Sequence, residues 1–570
     1  MTNIAAQLDQ VKNQLTSPGA PFELIDIESN NIRYKAYKNA PSTLPQLIHD
    51  SRKLGTKTFL VYEGEIWSFI KFFSHVDALS YQLINKFHIA KGDRVVIAMR
   101  NYPEWMSAFI AIVSIGAIAV PLNSWGTATE LTYGLEDADA QLCFCDQQRY
   151  DSLQPVLSRS NNIRVILARS DCDSLPTNVA LYEKLIAETL HEQQPSIQIR
   201  PDDPALILYT SGTTGIPKGA LSTHRSITQA IFNFNYGAAC AAITSPEIIK
   251  NMTESGFEPS SLLSFPLFHV SGCHSVLLLS LYTGRKIVIM HKWDAKKALQ
   301  LIEKERITIF SGVPTMARQL LESPQFEKTD TSSLFGIGGG GSASPLKLTE
   351  LIYEKKPNAF AGTGYGLTET NATGGSCTGS AFRYKPESAG TLSPIIELEI
   401  RDEQNRALER NQIGTIWIKG ITLLQSYWRN PQATAKSLQD GWFDTGDIGY
   451  LDEEGFLFLV DRAKDMIIRG GENIYAAEIE ACIHKHPSVE DVAAFGIPDE
   501  MLGETLAVAV KPRTDFVLHE TDIRHHVAQH LASFKIPAHV WIWSKSLPRN
   551  PSGKLLKKDL REEFLKQLKF

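Results

Sequence analysis

The sequence predicts an α/β fold: a large N-terminal domain of mostly parallel sheets flanked by helices, with a β-rich part, followed by a small α+β C-terminal domain. Three observations predict it. The 570 residues exceed the size of a single hydrophobic core, so two or more domains are expected. Short apolar runs alternate with segments of helical periodicity, which is typical of parallel strands joined by helices. The composition, 43% hydrophobic and 21% charged, is that of an ordinary globular protein.

The alternation of strands and helices begins after an N-terminal segment of irregular appearance that ends near residue 45. Further on, residues 390–420 contain short strand-like runs, such as 398–400 and 415–418, which predict the β-rich part. The strands predicted before it are 95–99, 117–122, 140–145, 205–208, 261–268, 286–290 and 307–311. The predicted helices are 44–54, 73–87, one around Trp105, 130–139, 275–281 and 295–304.

A charged stretch, Asp461-Arg462-Ala463-Lys464-Asp465, follows the end of a predicted strand and indicates a domain boundary. We therefore expect an N-terminal domain of residues 1–460 and a C-terminal domain of residues 461–570. The latter is long enough to fold independently. Its predicted elements are a helix at 476–484, strands at 489–495 and 507–511, and a helix at 520–531.

Charge and cysteine content limit the partners and the compartment. The net charge of −6 gives no general attraction to nucleic acid or to an anionic membrane, so no nucleic-acid partner is expected. The seven cysteines show no disulfide framework, which favours a reducing, cytoplasmic compartment.

No membrane-spanning segment is expected. The uncharged stretch from Trp105 to Leu122 has marginal length for a span and fits a buried helix that leads into a strand better. The first fifteen residues lack the layout of a signal peptide. Peripheral association with a membrane is left open, as is the choice between a monomer and a homodimer.

A polar loop follows the predicted strand 205–208. It reads Tyr209-Thr210-Ser211-Gly212-Thr213-Thr214-Gly215-Ile216-Pro217-Lys218-Gly219. Glycines allow backbone N–H groups to turn toward an anion, hydroxyls add donors, and the lysine adds a positive charge. A surface turn is the alternative, but it has no need of so many convergent donors. The loop is not a Walker A motif, because Pro217 precedes Lys218 and Gly219 follows it. It predicts a polyphosphate site.

Two carboxylates follow glycines in later segments. Glu369 lies in Gly364-Tyr365-Gly366-Leu367-Thr368-Glu369-Thr370, where it could hold Mg²⁺ beside a polyphosphate or be a solvated surface charge. Asp447 ends Trp442-Phe443-Asp444-Thr445-Gly446-Asp447, where it could bind ribose hydroxyls or be a turn residue.

A group of histidines lies on the predicted helix 520–531. His526 and His530 are spaced i,i+4, and His525 is their neighbour, but no carboxylate motif completes a zinc site. We expect these three to be surface residues.

Together the motifs resemble the adenylate-forming superfamily, which contains acyl- and aryl-CoA synthetases, adenylation domains of peptide synthetases, and luciferases. The resemblance runs from about residue 45 to residue 560 and is strongest to medium- and long-chain fatty acyl-CoA synthetases. Several motifs occur in the order of the family. They are residues 209–219, 364–369, 445–447, 461–465, 470–474 and 548–554.

The resemblance implies a site for ATP and Mg²⁺. The phosphate loop and Lys218 would hold the β- and γ-phosphates, Thr368 would touch the α-phosphate, and Glu369 would bind Mg²⁺. Tyr365 would stack on adenine, and Asp447 would bind the ribose with Arg462 alongside. The other residues implied to hold the nucleotide are Thr210, Ser211, Gly212, Thr213, Thr214, Gly215, Gly340, Gly341, Ser342 and Gly366.

The glycines at 340 and 341 also belong to a run, Gly336 to Gly341, that matches G-x-G-x-x-G by count. Such a pattern alone is weak evidence. We reject a dinucleotide site there in favour of the wall of the adenine pocket.

The resemblance also implies a C-terminal domain that is mobile and carries the catalytic Lys554, which would act with Lys218, Thr368 and Glu369. Lys464 would be the hinge, and Gly470 and Gly471 would line the path of CoA. Phe268 and His269 would line the acid pocket, although a histidine of the hydrophobic core is the alternative for His269.

The predicted activity is that of an ATP-dependent acyl-CoA synthetase. The carboxylic acid attacks ATP to give an acyl-adenylate and pyrophosphate, and CoA then displaces AMP. Apolar residues around 262–278 favour a medium- or long-chain fatty acid. The alternatives are an aryl-CoA ligase, a fatty-acyl-AMP ligase that loads a carrier protein, a monooxygenase of the luciferase type, and a non-catalytic nucleotide-binding scaffold.

Overall fold

A computed structural model describes residues 4–159, 163–172, 175–193, 196–210, 217–340, 346–469, 472–499, 501–514, 516–550 and 553–568. The chain divides into two compact units. The first unit comprises Met1–Pro386, Gly390–Glu397 and Ile418–Phe443. The second unit comprises Glu387–Ala389, Leu398–Trp417 and Asp444–Phe570.

One sheet of the first unit contains the strand that leads into the phosphate loop. Its strands are parallel except at one end, where Lys218–Thr223 runs antiparallel to both of its neighbours. The central strands are buried on both faces, which explains their continuous apolar runs. In spatial order the strands are Ser426–Tyr427, Lys218–Thr223, Pro204–Thr210, Ile118–Pro121, Arg94–Ala98, Leu142–Asp146, Arg164–Ala168 and Val179–Leu181.

A further sheet of the first unit is parallel in its centre and ends in antiparallel hairpins. Its strand Gly336–Gly340 lies between Ile309–Ser311 and Phe360–Tyr365, so the glycine run is part of the sheet. A Cβ at Gly339 would collide with the carbonyl oxygen of Gly312. In order the strands are Gly390–Leu392, Gly375–Thr378, Phe360–Tyr365, Gly336–Gly340, Ile309–Ser311, Ser260–Leu263, Lys286–Ile289, Thr58–Tyr62 and Glu65–Ser68.

Helices pack around these sheets. Every residue of Pro103–Ser114 is buried, and the rings of Trp105 and Phe109 stack at 5.4 Å. Each large apolar side chain buried in this way contributes roughly 1.5–3 kcal/mol. The helices of the first unit are Ile4–Thr16, Leu44–Leu47, Phe69–Asn85, Pro103–Ser114, Ala128–Asp137, Gln147–Leu157, Tyr182–Thr189, His224–Thr244, Pro246–Glu254, Val270–Gly272, Leu279–Thr283, Ala295–Glu305, Pro314–Leu321, Leu346–Lys355, Ser380–Tyr384 and Pro431–Ser437.

The N-terminal segment is regular, so the prediction of an irregular lead-in was wrong. It forms the helix Ile4–Thr16 and a hairpin of the strands Leu24–Ser29 and Ile32–Tyr37. Asn30 and Asn31 have φ angles of 52° and 61°, as a two-residue hairpin turn requires. The helix buries Ala5, Val11 and Leu15, and apolar residues recur at helical spacing at Ile4, Leu8, Val11 and Leu15, so the sequence contained a signal that the prediction overlooked.

Three predicted elements of the first unit differ in type or end early, and the bounds of several others shift by a few residues. The helix predicted at 44–54 is the turn Leu44–Leu47 followed by the 3-10 helix Asp50–Leu54. The strand predicted at 261–268 ends at Leu263, ahead of Pro266. The helix predicted at 275–281 is interrupted by a π-helical stretch, Cys273–Leu278.

The second unit holds an α+β arrangement, as predicted. The strands Phe456–Arg462 and Trp442–Leu451 run antiparallel, and Gly414–Gly420 and Ile396–Arg401 follow in the order of the sheet. A separate sheet contains, in order, Glu472–Ile474, Ile467–Arg469, Gly503–Pro512 and Val489–Asp499, with His539–Ile542 also paired to Gly503–Pro512. The helices are Ala476–His484, Glu520–His530 and Lys557–Leu568.

The histidines of Glu520–His530 follow the prediction only in part. His525 and His530 are exposed, as expected of surface residues. His526 is half-buried, and its ring donates a 3.0 Å hydrogen bond from Nε2 to the carbonyl oxygen of Cys482. Cys482 lies on the helix Ala476–His484.

Candidate active site

The phosphate loop connects two paired strands. Thr210 and Lys218 lie opposite each other at the open end of the antiparallel pair Pro204–Thr210 and Lys218–Thr223. The predicted phosphate ligands Ser211, Gly212, Thr213, Thr214 and Gly215 lie outside the described residues. The strand pair therefore defines where the loop begins and ends.

Glu369 lies beside the ends of this loop. Its Oε1 accepts a 3.0 Å hydrogen bond from the hydroxyl of Tyr427 and a 3.4 Å hydrogen bond from Oγ1 of Thr210. The ammonium of Lys218 lies 5.1 Å from the centroid of the Tyr427 ring. The fold thus brings together three residues predicted from the sequence, Thr210, Lys218 and Glu369.

Tyr427 was missed because no local signal marks it. It reaches the site through the strand Ser426–Tyr427, which pairs with Lys218–Thr223 far away in sequence. A carboxylate among hydroxyls, next to a lysine, fits Mg²⁺ and phosphate oxygens, because Mg²⁺ prefers a few protein oxygens and keeps its waters. Glu369 is therefore the residue in this cluster that would hold Mg²⁺.

The segment that carries Glu369 is held tightly. Its backbone forms the 3-10 helix Thr368–Thr370, and the carbonyl oxygen of Glu369 accepts a 2.7 Å bond from the N–H of Leu424. Gly366 must be glycine, because a Cβ there would collide with the backbone of Ala372. Thr368 lies one residue before Glu369, so the predicted α-phosphate and magnesium ligands occupy a single turn.

His274, a buried histidine that the sequence did not indicate, supports this turn through a hydrogen bond to Asn371. His274 is fully buried, and its Nε2 donates a 2.9 Å bond to Oδ1 of Asn371. Asn371 has a positive φ of 51° and donates from Nδ2 to the carbonyl oxygen of Thr422 at 2.8 Å. Burial lowers the pKa of His274 to about 4, so the imidazole is neutral at pH 7. His274 is a positioning residue for the Glu369 turn.

The predicted adenine walls end two neighbouring parallel strands. Gly340 is the last residue of Gly336–Gly340, Tyr365 is the last of Phe360–Tyr365, and Gly340 pairs with Gly364. Ligands of open α/β sheets bind outside the carboxyl ends of strands, where these two residues lie. Gly341 and Ser342 lie outside the described residues.

Phe268 and His269 follow the strand Ser260–Leu263 of the same sheet. Their rings lie 4.6 Å apart. Burial lowers the pKa of His269 to about 4, which keeps this imidazole neutral at physiological pH. A neutral ring can accept or donate a hydrogen bond to a carboxylic acid, but it cannot pair with a carboxylate as a cation.

A small cavity adjoins the glycine strand. Its volume is about 20 Å³, which is room for roughly one water molecule. Gly340 and Thr363 line the cavity, so the cavity adjoins the predicted adenine pocket. Its apolar wall includes Ile337, Leu348, Ile352 and Phe382.

In the second unit, Asp447 and Arg462 form a pair. They face each other across the strands Trp442–Leu451 and Phe456–Arg462, with Arg462 Nε 3.1 Å from Asp447 Oδ1. Asp447 is buried, and its backbone N–H donates to Oγ1 of Thr445 at 3.1 Å. Gly446 has a φ of +66°, which glycine adopts without strain.

Lys554 lies among charged residues of the same unit. Burial lowers the pKa of Lys554 to about 8, and the cations Arg462 and Lys464 contribute to this shift. The anions Asp465 and Asp447 oppose the shift in part. The lowered pKa distinguishes Lys554 from a solvated lysine, and perturbed pKa values of this kind are typical of functional sites.

A tight turn presents Lys554. Its backbone N–H donates to Oδ1 of Asn550 at 2.9 Å, and the N–H of Asn550 donates to the carbonyl oxygen of Lys554 at 2.8 Å. Gly553 has a φ of +81° within this turn. Lys464, the predicted hinge, is exposed. Gly470 and Gly471, the predicted CoA path, lie outside the described residues.

Comparisons with known proteins agree with this architecture. Residues 48–428 match the AMP-binding enzyme family, and residues 478–554 match the AMP-binding enzyme C-terminal domain. Long-chain-fatty-acid–CoA ligase FadD13 of Mycobacterium tuberculosis is 33% identical over 84% of this chain and 89% of its own length. 4-Coumarate–CoA ligase 1 of Petroselinum crispum is 31% identical over 89% of this chain and 91% of its own.

A solved structure shares the fold. ATP-bound MatB from Rhodopseudomonas palustris matches 92% of this chain and 99% of its own, with a TM-score of 0.80 and 26% identity. The fold and the matched domains define an adenylate-forming enzyme, which confirms the predicted α/β class.

The chain belongs to the AMP-binding enzyme family. The predicted class of enzyme, an AMP-forming acid–CoA ligase with ATP and CoA as small-molecule substrates, is confirmed, as is the resemblance to fatty acyl-CoA synthetases. Across the described residues, each helix is too short or too polar to cross a membrane.

Proposed function

We propose that the enzyme converts a medium- or long-chain fatty acid, ATP and CoA into the acyl-CoA, AMP and pyrophosphate. The observation that carries the proposal is the cluster of Glu369, Thr210, Tyr427 and Lys218 at the two ends of the phosphate loop. It places a carboxylate that can hold a metal ion next to a lysine and to a loop rich in anion-binding groups. We also propose a cytoplasmic location, consistent with seven free cysteines.

In the first half-reaction the carboxylate of the acid attacks the α-phosphorus of ATP. A bond forms from the acid oxygen to that phosphorus, and the bond to the pyrophosphate oxygen breaks. Mg²⁺ held by Glu369 would neutralise charge on the leaving pyrophosphate. Lys218 and the loop residues 210–215 would bind the β- and γ-phosphates, while Thr368 would contact the α-phosphate.

The remaining groups orient the nucleotide. Tyr365 and Gly366 would contact one face of adenine, and Gly340, Gly341 and Ser342 the other. Asp447, which is buried and bonded to Arg462, would accept hydrogen bonds from the ribose hydroxyls. Holding the reactants in this way removes much of the entropic cost of joining two anions.

Lys554 would bridge the acid carboxylate and the α-phosphate in the first half-reaction. Its ammonium form is the one that stabilises the transferred negative charge. Because the pKa of Lys554 is lowered to about 8, the ammonium is mostly protonated at pH 7 and loses its proton around pH 8. A lysine with an ordinary pKa would stay charged over the whole working range.

In the second half-reaction the CoA thiolate attacks the acyl carbonyl and AMP leaves. We propose that residues 1–460 bind ATP and the acid, and that residues 461–570 form a mobile domain that serves both steps. Lys464 would be the pivot, since it is exposed in a turn after the strand Phe456–Arg462. Gly470 and Gly471 would leave room for the pantetheine arm of CoA.

A fatty acid is the proposed substrate because apolar residues predominate around 262–278, the segment that contains Phe268 and His269. FadD13, named as a long-chain-fatty-acid–CoA ligase, is also among the similar proteins. We place the acyl chain next to Phe268 and His269, whose rings lie 4.6 Å apart.

An aromatic acid is the second candidate. Several plant 4-coumarate–CoA ligases are 30–32% identical to this chain. The two candidates differ in the length of the pocket that they require.

The test is an AMP-release assay that depends on CoA, with saturated acids of increasing length and with benzoic and cinnamic acids. We expect kcat/KM to rise with chain length and to exceed that for the aromatic acids. A maximum at cinnamate would favour the aryl ligase. Absence of AMP release with every acid would contradict the proposal, and Lys554→Ala serves as the control that lacks adenylation.

A further inference from the structure

The second unit contains a group of sulfur and nitrogen ligands outside the residues assigned to ATP, CoA and the acid. Cys482 lies on the helix Ala476–His484, and His526 and His530 lie on Glu520–His530. The cysteine sulfur and one nitrogen of each imidazole all lie within 4.8 Å of one another. A zinc ion bound here would lie about 2.0–2.3 Å from each nitrogen and from the sulfur.

Backbone hydrogen bonds already orient the two rings. The Nε2–H of His526 donates to the carbonyl oxygen of Cys482 at 3.0 Å. The Nδ1–H of His530 donates to the carbonyl oxygen of His526 at 2.7 Å. Carbonyl oxygens only accept, so these bonds fix which nitrogen carries the proton. A ring bond to a carbonyl oxygen is the usual support of a histidine that binds metal.

Packing energy alone does not explain well why these side chains lie together. The ring of His526 lies 4.5 Å from that of His530 and 5.2 Å, edge-on, from that of His486. Three imidazoles and a buried thiol in one corner contribute little hydrophobic energy. Solvent reaches the corner through an open cleft lined by His486, Thr521, Asp522, His525, His526 and Gln529.

We propose that Cys482, His526 and His530 bind a divalent transition-metal ion of the zinc class, with water as the fourth ligand. The donor set of one sulfur and two nitrogens selects such an ion over Mg²⁺ or Ca²⁺, which require oxygen ligands. On binding, the cysteine S–H bond breaks, a sulfur–metal bond forms, and the proton passes to solvent. No electron transfer is involved.

The ion would link two helices that belong to one unit. Cys482 is 6% exposed, so the metal would lie at the edge of the core formed by Ile479, Ile483, Ile523 and Val527. Binding to the folded state alone stabilises that state, so the ion would raise the thermal stability of the second unit. Because no residue of the group has a role in the proposed reaction, this inference stands apart from it.

The test uses Co²⁺ as a spectroscopic probe on the full-length, metal-free protein. A tetrahedral site with a thiolate ligand gives intense d–d bands and a sulfur-to-cobalt charge-transfer band. We expect both bands to saturate at one Co²⁺ per chain and to disappear on addition of one equivalent of Zn²⁺.

Variants separate the site from accidental binding. Cys482→Ser is expected to remove the charge-transfer band, and His530→Ala to weaken Zn²⁺ affinity by at least about tenfold. His530 is exposed, so its variant keeps the fold even if Cys482→Ser unfolds. His525→Ala is the matched control, because His525 is an exposed neighbour outside the group, and we expect no change.

Three results would overturn the proposal. They are the absence of a charge-transfer band in the wild type, equal Zn²⁺ affinity of the wild type and His530→Ala, and weakening by His525→Ala as large as that by His530→Ala. The last result would indicate adventitious binding to a histidine-rich surface.

Discussion

Glu369 and Lys554 carry the two charges on which the proposed chemistry depends, and the protein holds them in different ways. Glu369 receives hydrogen bonds from Thr210 and Tyr427, and His274 fixes its turn through Asn371. Lys554 sits on a short turn among charges of both signs, and its pKa is lowered to about 8. Hydrogen bonds fix the position of Glu369, whereas burial and neighbouring charges set the pKa of Lys554.

This difference predicts which property changes when each residue is replaced. At Glu369, loss of a contact should change affinity for the metal ion or the stability of the turn. At Lys554, loss of charge should affect one half-reaction and should depend on pH. The following predictions start with the largest expected effect.

Lys554→Ala should slow formation of the acyl-adenylate by about 10²–10³-fold, because it removes a charge that acts in the transition state. Transfer from supplied acyl-adenylate to CoA should stay within a few-fold of the wild type. Each half-reaction is measured separately by rapid quench. Lys558→Ala, which alters an exposed lysine four residues away, is the control and should behave as the wild type. Equal loss of both half-reactions would contradict the role of Lys554.

Glu369→Gln should raise the Mg²⁺ concentration needed for half-maximal adenylation by about 10–100-fold, because the amide keeps the shape but loses the charge that binds the metal. The measurement is pyrophosphate release during a Mg²⁺ titration. Glu350→Gln, an exposed glutamate on Leu346–Lys355, should leave the titration unchanged. An unaltered Mg²⁺ midpoint in Glu369→Gln would show that the ion is held elsewhere.

Adenylation should fall as pH rises through about 8, because the pKa of Lys554 is lowered and the ammonium is then lost. At pH 9 the protonated fraction is about one tenth, so the rate should drop roughly tenfold from that at pH 7. Arginine stays charged at this pH. Lys554→Arg should therefore be slower at pH 7 but show no alkaline decline, and an unchanged decline would point to another group.

His274→Ala should lower the free energy of unfolding by about 1–3 kcal/mol, because Oδ1 of Asn371 loses its buried donor. The measurement is urea denaturation, with KM for MgATP as a second readout. His291→Ala is a comparison, since this histidine is only partly buried. A destabilised protein with an unchanged KM for MgATP would show that His274 supports the core and not the Glu369 turn.

The sequence predicted those residues whose environment is local. The phosphate loop, Glu369, Asp447 and Lys554 stand in short segments in which glycines, hydroxyls and charges are adjacent, so their chemistry is visible without the fold. Two helices and two strands after residue 465 were also predicted, whereas three short strands and the last helix of that region were not. The helix Ala476–His484 begins and ends where it was expected.

Features that depend on distant segments were not predictable. Tyr427 reaches Glu369 through a two-residue strand, and His274 meets Asn371 across 97 residues of sequence. The N-terminal hairpin is an exception, because the alternation Ile32-Arg33-Tyr34-Lys35-Ala36 and the turn at Asn30 and Asn31 were present in the sequence and were overlooked. The proposed metal site could not be predicted, because only the fold shows that the helices of Cys482 and His526 pack together.

The most direct test of the account is ATP–pyrophosphate exchange without CoA, which reports reversible formation of the acyl-adenylate alone. We predict exchange that requires both a fatty acid and Mg²⁺, and that is lost in Lys554→Ala. Exchange in the absence of any acid, or no exchange with any acid despite measurable ATP binding, would contradict the account.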